Sequence, residues 1–308
     1  MLGPCSLRAV NEVSTGKLLW LRCAAVLEPA SLCAPRSRSS DLGRLEVFFG
    51  IPQHQFELLA PQLRVFLSLA HGFHNDVPIV RANQQDKEYN FQNWVKRRIQ
   101  AAGLAFQEQG RHGYPDFILE DHPCGFEVKG LAHPGRVADF DCNSQLPLAQ
   151  HDGRSIFYIF GRYPQTTEQE YAVFDLVLCS ASFLNAETEN TNTNQSFRGA
   201  GSYGDILIRD RRMYVCATPY ALAAGTSAQA TLILEDGVSD LPDVLEAVGQ
   251  LQRSEAQEVV TGYSFDLRQN LLSSERGPNP NAGRPHSFVA YKIRGQGNGP
   301  VTLTPRNV

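Results

Sequence analysis

Asp116, Glu127 and Lys129 are the residues of this chain whose types and spacing can do chemistry together. Asp116 follows Pro115 and opens a short apolar run, residues 117–120. Glu127 and Lys129 alternate with Phe126 and Val128 in a second run, residues 126–130. Between the runs, Asp121-His122-Pro123-Cys124-Gly125 carries the Pro and Gly of a turn, so the two read as a β-hairpin. Side chains alternate faces along a strand, which places Glu127 and Lys129 on one side and Phe126 and Val128 on the other. A loop centred on His122-Pro123 sets Ile118 opposite Glu127 and Asp116 opposite Lys129. Two carboxylates and an ammonium then meet on one face. Neighbouring carboxylates repel, and a hard divalent cation such as Mg²⁺, which seeks oxygen and keeps several waters, relieves that repulsion. Such an ion lowers the pKa of a bound water and stabilises charge developing on a phosphate. Lys129 is placed to hold the attacking water or to pair with the phosphate.

Two internal comparisons sharpen the pattern. Glu127-Val128-Lys129 is the only acidic-x-Lys in the sequence, and the other Pro-Asp, Pro242-Asp243, has no Glu-x-Lys after it. An exposed hairpin carrying a Glu–Lys pair is common and contributes little to stability. That account leaves the Pro-preceded Asp facing the pair unexplained.

The order Pro-Asp, ten residues, then Glu-x-Lys on a following strand resembles the PD-(D/E)xK nuclease superfamily. The size and layout of the chain are most like those of its type II restriction endonucleases. The resemblance implies an α/β (or α+β) fold, a restriction-endonuclease-like core with a mixed central β-sheet flanked by helices. It implies a Mg²⁺-dependent, sequence-specific double-stranded DNA endonuclease in which Asp116 and Glu127 hold the metal and Lys129 serves the attacking water. Glu88, on the helix before the Pro-Asp strand, matches an extra metal-proximal acid that the superfamily often carries. A first-turn Glu favoured by the helix dipole is the competing explanation for it. The same resemblance implies a homodimer, a cognate DNA methyltransferase in the same system, and a cytoplasmic place in a prokaryotic cell. A repair or junction-resolving nuclease of the superfamily, or a catalytically inactive DNA-binding protein, are the alternatives.

Composition sets the frame for these residues. The chain has 308 residues, 42% hydrophobic and 19% charged, enough for one large core with an appendage. No apolar run is long enough to span a bilayer, and the apolar segment 18–27 is broken by Arg22 and lacks a cleavage site. Seven scattered cysteines without a Cys-x-x-Cys argue for a reducing compartment and against a zinc or disulfide framework. The net charge of −4 does not itself point to a polyanion, although residues 262–308 carry +4 while residues 164–261 carry −9. Only five of the 28 basic residues are Lys, and Arg suits bidentate contacts to phosphate and guanine.

Residues 1–45 read as an appendage with a Pro/Ser/Arg linker, and 46–308 as one nuclease domain with embedded DNA-recognition elements. Residues 45–70 repeat apolar positions at helical spacing, interrupted near Pro61. His71, His74 and Asp76 just beyond admit a metal or a solvated helix end. Residues 86–102 are the clearest helix, with Phe91, Val95, Ile99 and Ala102 as its stripe and Lys96, Arg97 and Arg98 mostly outside. Residues 104–108, 155–160 and 174–179 read as strands, the last two buried on both faces. Residues 241–251 read as a helix, and 259–267 and 288–293 as late strands separated by a loop. Three stretches suit DNA contact. Asn143, Ser144 and Gln145 form either a groove-facing loop or an Asx-type turn. The polar segment 185–204 is either a DNA-embracing loop or plain disorder. Arg209, Arg211 and Arg212 crown a hairpin tip, for DNA or for salt bridges with nearby acids.

Overall fold

The computed structural model describes residues 38–82, 87–110, 113–134, 139–141, 147–184, 191–192, 213–216, 228–266, 268–269 and 271–296. Four helices lie in the first third: α1 (Arg38–Phe49), α2 (Gln53–Leu58), α3 (Pro61–His74) and α4 (Lys87–Ala101). The strands are β1 (Ile79–Val80), β2 (Phe106–Glu108), β3 (Phe117–Leu119), β4 (Cys124–His133), β5 (Asp139–Asp141), β6 (Gln150–His151), β7 (Arg154–Pro164) and β8 (Glu170–Tyr171). They continue with β9 (Asp175–Ser180), β10 (Thr191–Asn192), β11 (Met213–Cys216), β12 (Ala230–Glu235), β13 (Leu245–Ser254), β14 (Glu258–Asp266), β15 (Leu271–Pro278) and β16 (Pro285–Ile293).

The fold is mixed α/β around one large sheet in the order β13-β16-β12-β9-β7-β4-β3-β2, with β6 turning back on β7. β4 runs parallel to β7 and β12 parallel to β9, while the remaining neighbours on this path are antiparallel. The apolar runs read as buried central strands are β7 and β9, and every residue of β9 is buried. Alternation along these strands builds two cores. Phe126, Val128, Ile159 and Leu178 face the larger one, which α3 and α4 cover with Phe66, Leu67, Phe91, Trp94 and Val95. Tyr158, Phe160, Val177, Ile233 and Phe288 line a second core on the opposite face.

Pro61 starts α3 at its first turn, where a missing N–H costs nothing, and so separates α2 from α3. α1 starts before the expected domain boundary at residue 46, and its Leu42 and Leu45 are buried in the larger core. Residues 241–251 are not a helix. From Leu245 onward they form β13, paired antiparallel with β16 through a bulge between Ala247 and Gly249. The loop expected before residue 288 contains β15, which pairs with β14 as a separate ribbon.

Candidate active site

The hairpin β3–β4 forms, but Cys124 and Gly125, expected in its turn, open β4 instead, and its register differs by two from the expected one. Phe117 pairs with Phe126 and Ile118 with Gly125, so continuation of the ladder sets Asp116 beside Glu127 instead of Lys129. A shift of two keeps every side chain on its face. Gly125 permits the approach that makes this possible, because a β-carbon there would lie 2.4 Å from Pro115 Cγ. Pro115 is therefore seated directly on β4, and Asp116 leaves the ladder at its side.

Beyond the end of β3, Asp116 takes over as partner of β4. Its Oδ2 accepts the Val128 main-chain N–H at 2.8 Å, and its own N–H donates to Glu127 Oε2 at 3.3 Å. Glu127 Oε1 lies 2.8 Å from Lys129 Nζ. Lys129 is only 8% exposed, and a buried ammonium needs such a partner. The three predicted residues thus meet in one place: two carboxylates tied across the hairpin and one ammonium bonded to the second of them.

Two neighbours of the site were not found in the sequence. Gln92 of α4 donates its amide to Asp116 Oδ1 at 3.1 Å. It lies one turn after Glu88, so the helix face that suggested Glu88 is the one that reaches Asp116. Tyr158, adjacent to Glu127 in the β4–β7 ladder, shares a hydroxyl hydrogen bond of 3.2 Å with Tyr114. Tyr114 sits two residues before Asp116, outside any strand, and meets β7 through this hydroxyl contact. The main chain of Glu88 occupies the first turn of α4, and its side chain lies outside the described residues. Asn143, Ser144, Gln145, Arg209, Arg211 and Arg212 also lie outside them.

The remaining candidates have structural partners. His71 and His74 end α3 with their rings against Phe48, and burial holds both below the ordinary histidine pKa. Arg98 does not face outward: its side chain packs against Gly72 of α3, its Nε is buried, and burial lowers its pKa. Lys96 pairs with Glu108 of β2. Among the described residues no group of three His, Cys, Asp or Glu is arranged to hold a metal ion. The Asp116–Glu127 pair offers two carboxylates, an all-oxygen donor set that suits a cation retaining most of its waters.

No protein-family model, curated protein or solved structure matches the chain.

Proposed function

We propose that this protein is a Mg²⁺-dependent endonuclease that hydrolyses phosphodiester bonds of double-stranded DNA at specific sequences, in the manner of a type II restriction enzyme. One observation carries the proposal: the Pro-Asp and Glu-x-Lys segments, distinctive in sequence, come together as a hydrogen-bonded Asp116–Glu127–Lys129 set at one end of a hairpin. An isolated surface ion pair would need neither the Pro-preceded aspartate nor its bond to Val128.

Asp116 and Glu127 are the residues that would hold Mg²⁺. The ion, when bound, supplies an acidified water and neutralises charge on the phosphate. The chain contributes position and charge. Val128 N–H and Gln92 fix the Asp116 carboxylate from two sides. Lys129, held beside Glu127, donates to the attacking water or to a phosphate oxygen, orienting the water in line with the scissile bond. Attack forms the new P–O bond as the bond to the leaving sugar oxygen breaks. The segments around Asn143–Gln145 and Arg209–Arg212 are proposed to touch DNA. A homodimer would place two such sites about a two-fold axis, matching the symmetry of a palindrome. A methyltransferase of the same specificity would protect the host DNA.

Digestion of long unmethylated DNA by the full chain tests this. With Mg²⁺, discrete bands are expected; with EDTA, none. Asp116→Ala is expected to lower the rate by about 10³-fold or more, the scale of losing charge stabilisation in the transition state. A smear, or cutting of branched substrates alone, would move the protein to the repair nucleases. DNA binding without cleavage under any divalent metal would sink the enzymatic proposal.

A further inference from the structure

Phe91 sets how deeply α4 sits on the sheet. Gly130 of β4 and Gly161 of β7 are partners in the parallel ladder, and together they leave a notch on the helix side. A β-carbon at Gly161 would fall 2.1 Å from the Phe91 ring, and one at Gly130 would fall 3.3 Å from Phe91 Cβ. Phe91 is fully buried in that notch, stacked on Trp94 at 5.8 Å between ring centres and tilted against Tyr163 at 6.0 Å. Trp94 in turn donates its indole N–H to the Val77 carbonyl at 2.8 Å, which fixes the rotation of the helix as well as its depth.

The next residue after Phe91 is Gln92. Its side chain is half-buried, and its amide reaches Asp116 Oδ1, while the other oxygen of that carboxylate takes the Val128 N–H. A donor on each oxygen, one from the helix and one from the strand, fixes the plane of the carboxylate relative to Glu127. A neutral amide does this without adding a third negative charge. We infer that Gln92 is the positioning residue for Asp116, and that the Gly130–Gly161 notch, through Phe91, sets its reach. The inference rests on the metal-dependent nuclease proposal, because it assigns Gln92 the task of presenting Asp116 to the cation. Groups that orient a metal-binding side chain typically change metal affinity by about 10- to 100-fold when removed.

The test is calorimetric titration of the full-length, DNA-free protein with Mn²⁺, using Gln92→Leu and, as a control on the same helix, Asn93→Leu. Gln92→Leu is expected to weaken Mn²⁺ binding by about 10- to 100-fold with its unfolding transition intact, and Asn93→Leu to leave it unchanged. In cleavage assays, Gln92→Leu should raise the half-saturating Mn²⁺ concentration by the same factor. The rate at saturating Mn²⁺ should stay within a few-fold of the parent, a split that a merely structural residue would not produce. Equal Mn²⁺ affinity in Gln92→Leu and the parent overturns the role of Gln92 and leaves the nuclease proposal standing. No Mn²⁺ binding by the unaltered chain overturns both. Equal weakening by both substitutions would show a general effect of the helix and overturns the assignment to Gln92.

Discussion

Lys129 is where charge, burial and chemistry meet in one side chain. At 8% exposure its ammonium is stripped of most of its water, and the Glu127 carboxylate at 2.8 Å compensates it. The pair is therefore unlike an exposed ion pair, where solvent and salt would screen the attraction. Removing the ammonium takes the compensating charge from Glu127 and leaves its Oε2 bonded to the neutral Asp116 N–H. Lys129→Met, close in length and without charge, is expected to destabilise the metal-free protein by about 2 kcal/mol, the scale for hydrogen bonds to charged groups. Urea unfolding in EDTA measures that. The same substitution should lower DNA cleavage by about 10²- to 10³-fold, the scale of losing one preorganised donor to the transition state. A stability loss without a rate loss would reduce Lys129 to a structural partner of Glu127.

At the scale of elements, the contact between α4 and the sheet decides whether the site is assembled. Gly161→Ala puts a methyl group where the Phe91 ring already lies, and overpacking of this kind costs about 1–3 kcal/mol or more. Phe91→Leu in the same chain should recover part of that loss. A double-mutant cycle by urea unfolding would read the coupling as a clear departure from additivity. Additive effects would mean that the notch does not set the helix position. The helix itself was legible, because Phe91, Val95 and Ile99 repeat at helical spacing and all three are fully buried. β7 and β9 were legible as continuous apolar runs, since strands covered on both faces need no alternation. β13 was not. Its bulge shifts the strand by one face, so Leu245 joins the core beneath the helices and Leu251 the core on the other side. Leu241 and Val244, which precede the strand, fall at helical spacing with Leu245 and with Val248 at the bulge, so no alternation showed in the sequence. The hairpin that carries the site was legible in its strands and faces, but its register depends on Pro115 resting on Gly125, a contact that spacing alone does not reveal. Gln92 is not legible in the sequence, because an uncharged amide becomes informative only once its partner is known.

At the scale of the whole molecule, the β13–β16 hairpin hands over to the two-stranded β14–β15 ribbon, and an isolated two-stranded ribbon is marginal in water. Its root is held by polar contacts. Glu255 exchanges main-chain hydrogen bonds with Arg284 and Gly283 at 2.9 and 2.8 Å, and its Oε2 accepts the Asn279 amide at 3.3 Å. His286 joins this root to the sheet. Its Nδ1 is hydrogen-bonded to Glu255, and its Nε2 lies 3.7 Å from Glu235 Oε1, which also accepts the Ser182 hydroxyl at 2.6 Å. Arg253 stands 3.7 Å from Glu255 and over the Phe288 ring. Glu235, then Glu255, stabilise the imidazolium and raise the His286 pKa above its ordinary value against the opposing effect of burial. A group whose folded-state pKa is raised contributes stability that is full below its unfolded value, here 6.5, and is lost as pH rises through the folded value. The parent protein is thus expected to exceed His286→Gln in stability by about 1 kcal/mol near pH 6, with the gap closing as the solution becomes alkaline. Urea unfolding of both proteins across that range measures the gap, and amide hydrogen exchange would locate the loss at Glu255, Asn279 and Gly283. A gap constant with pH would mean that His286 acts through its packing on Phe288, 4.3 Å between ring centres, and not through charge.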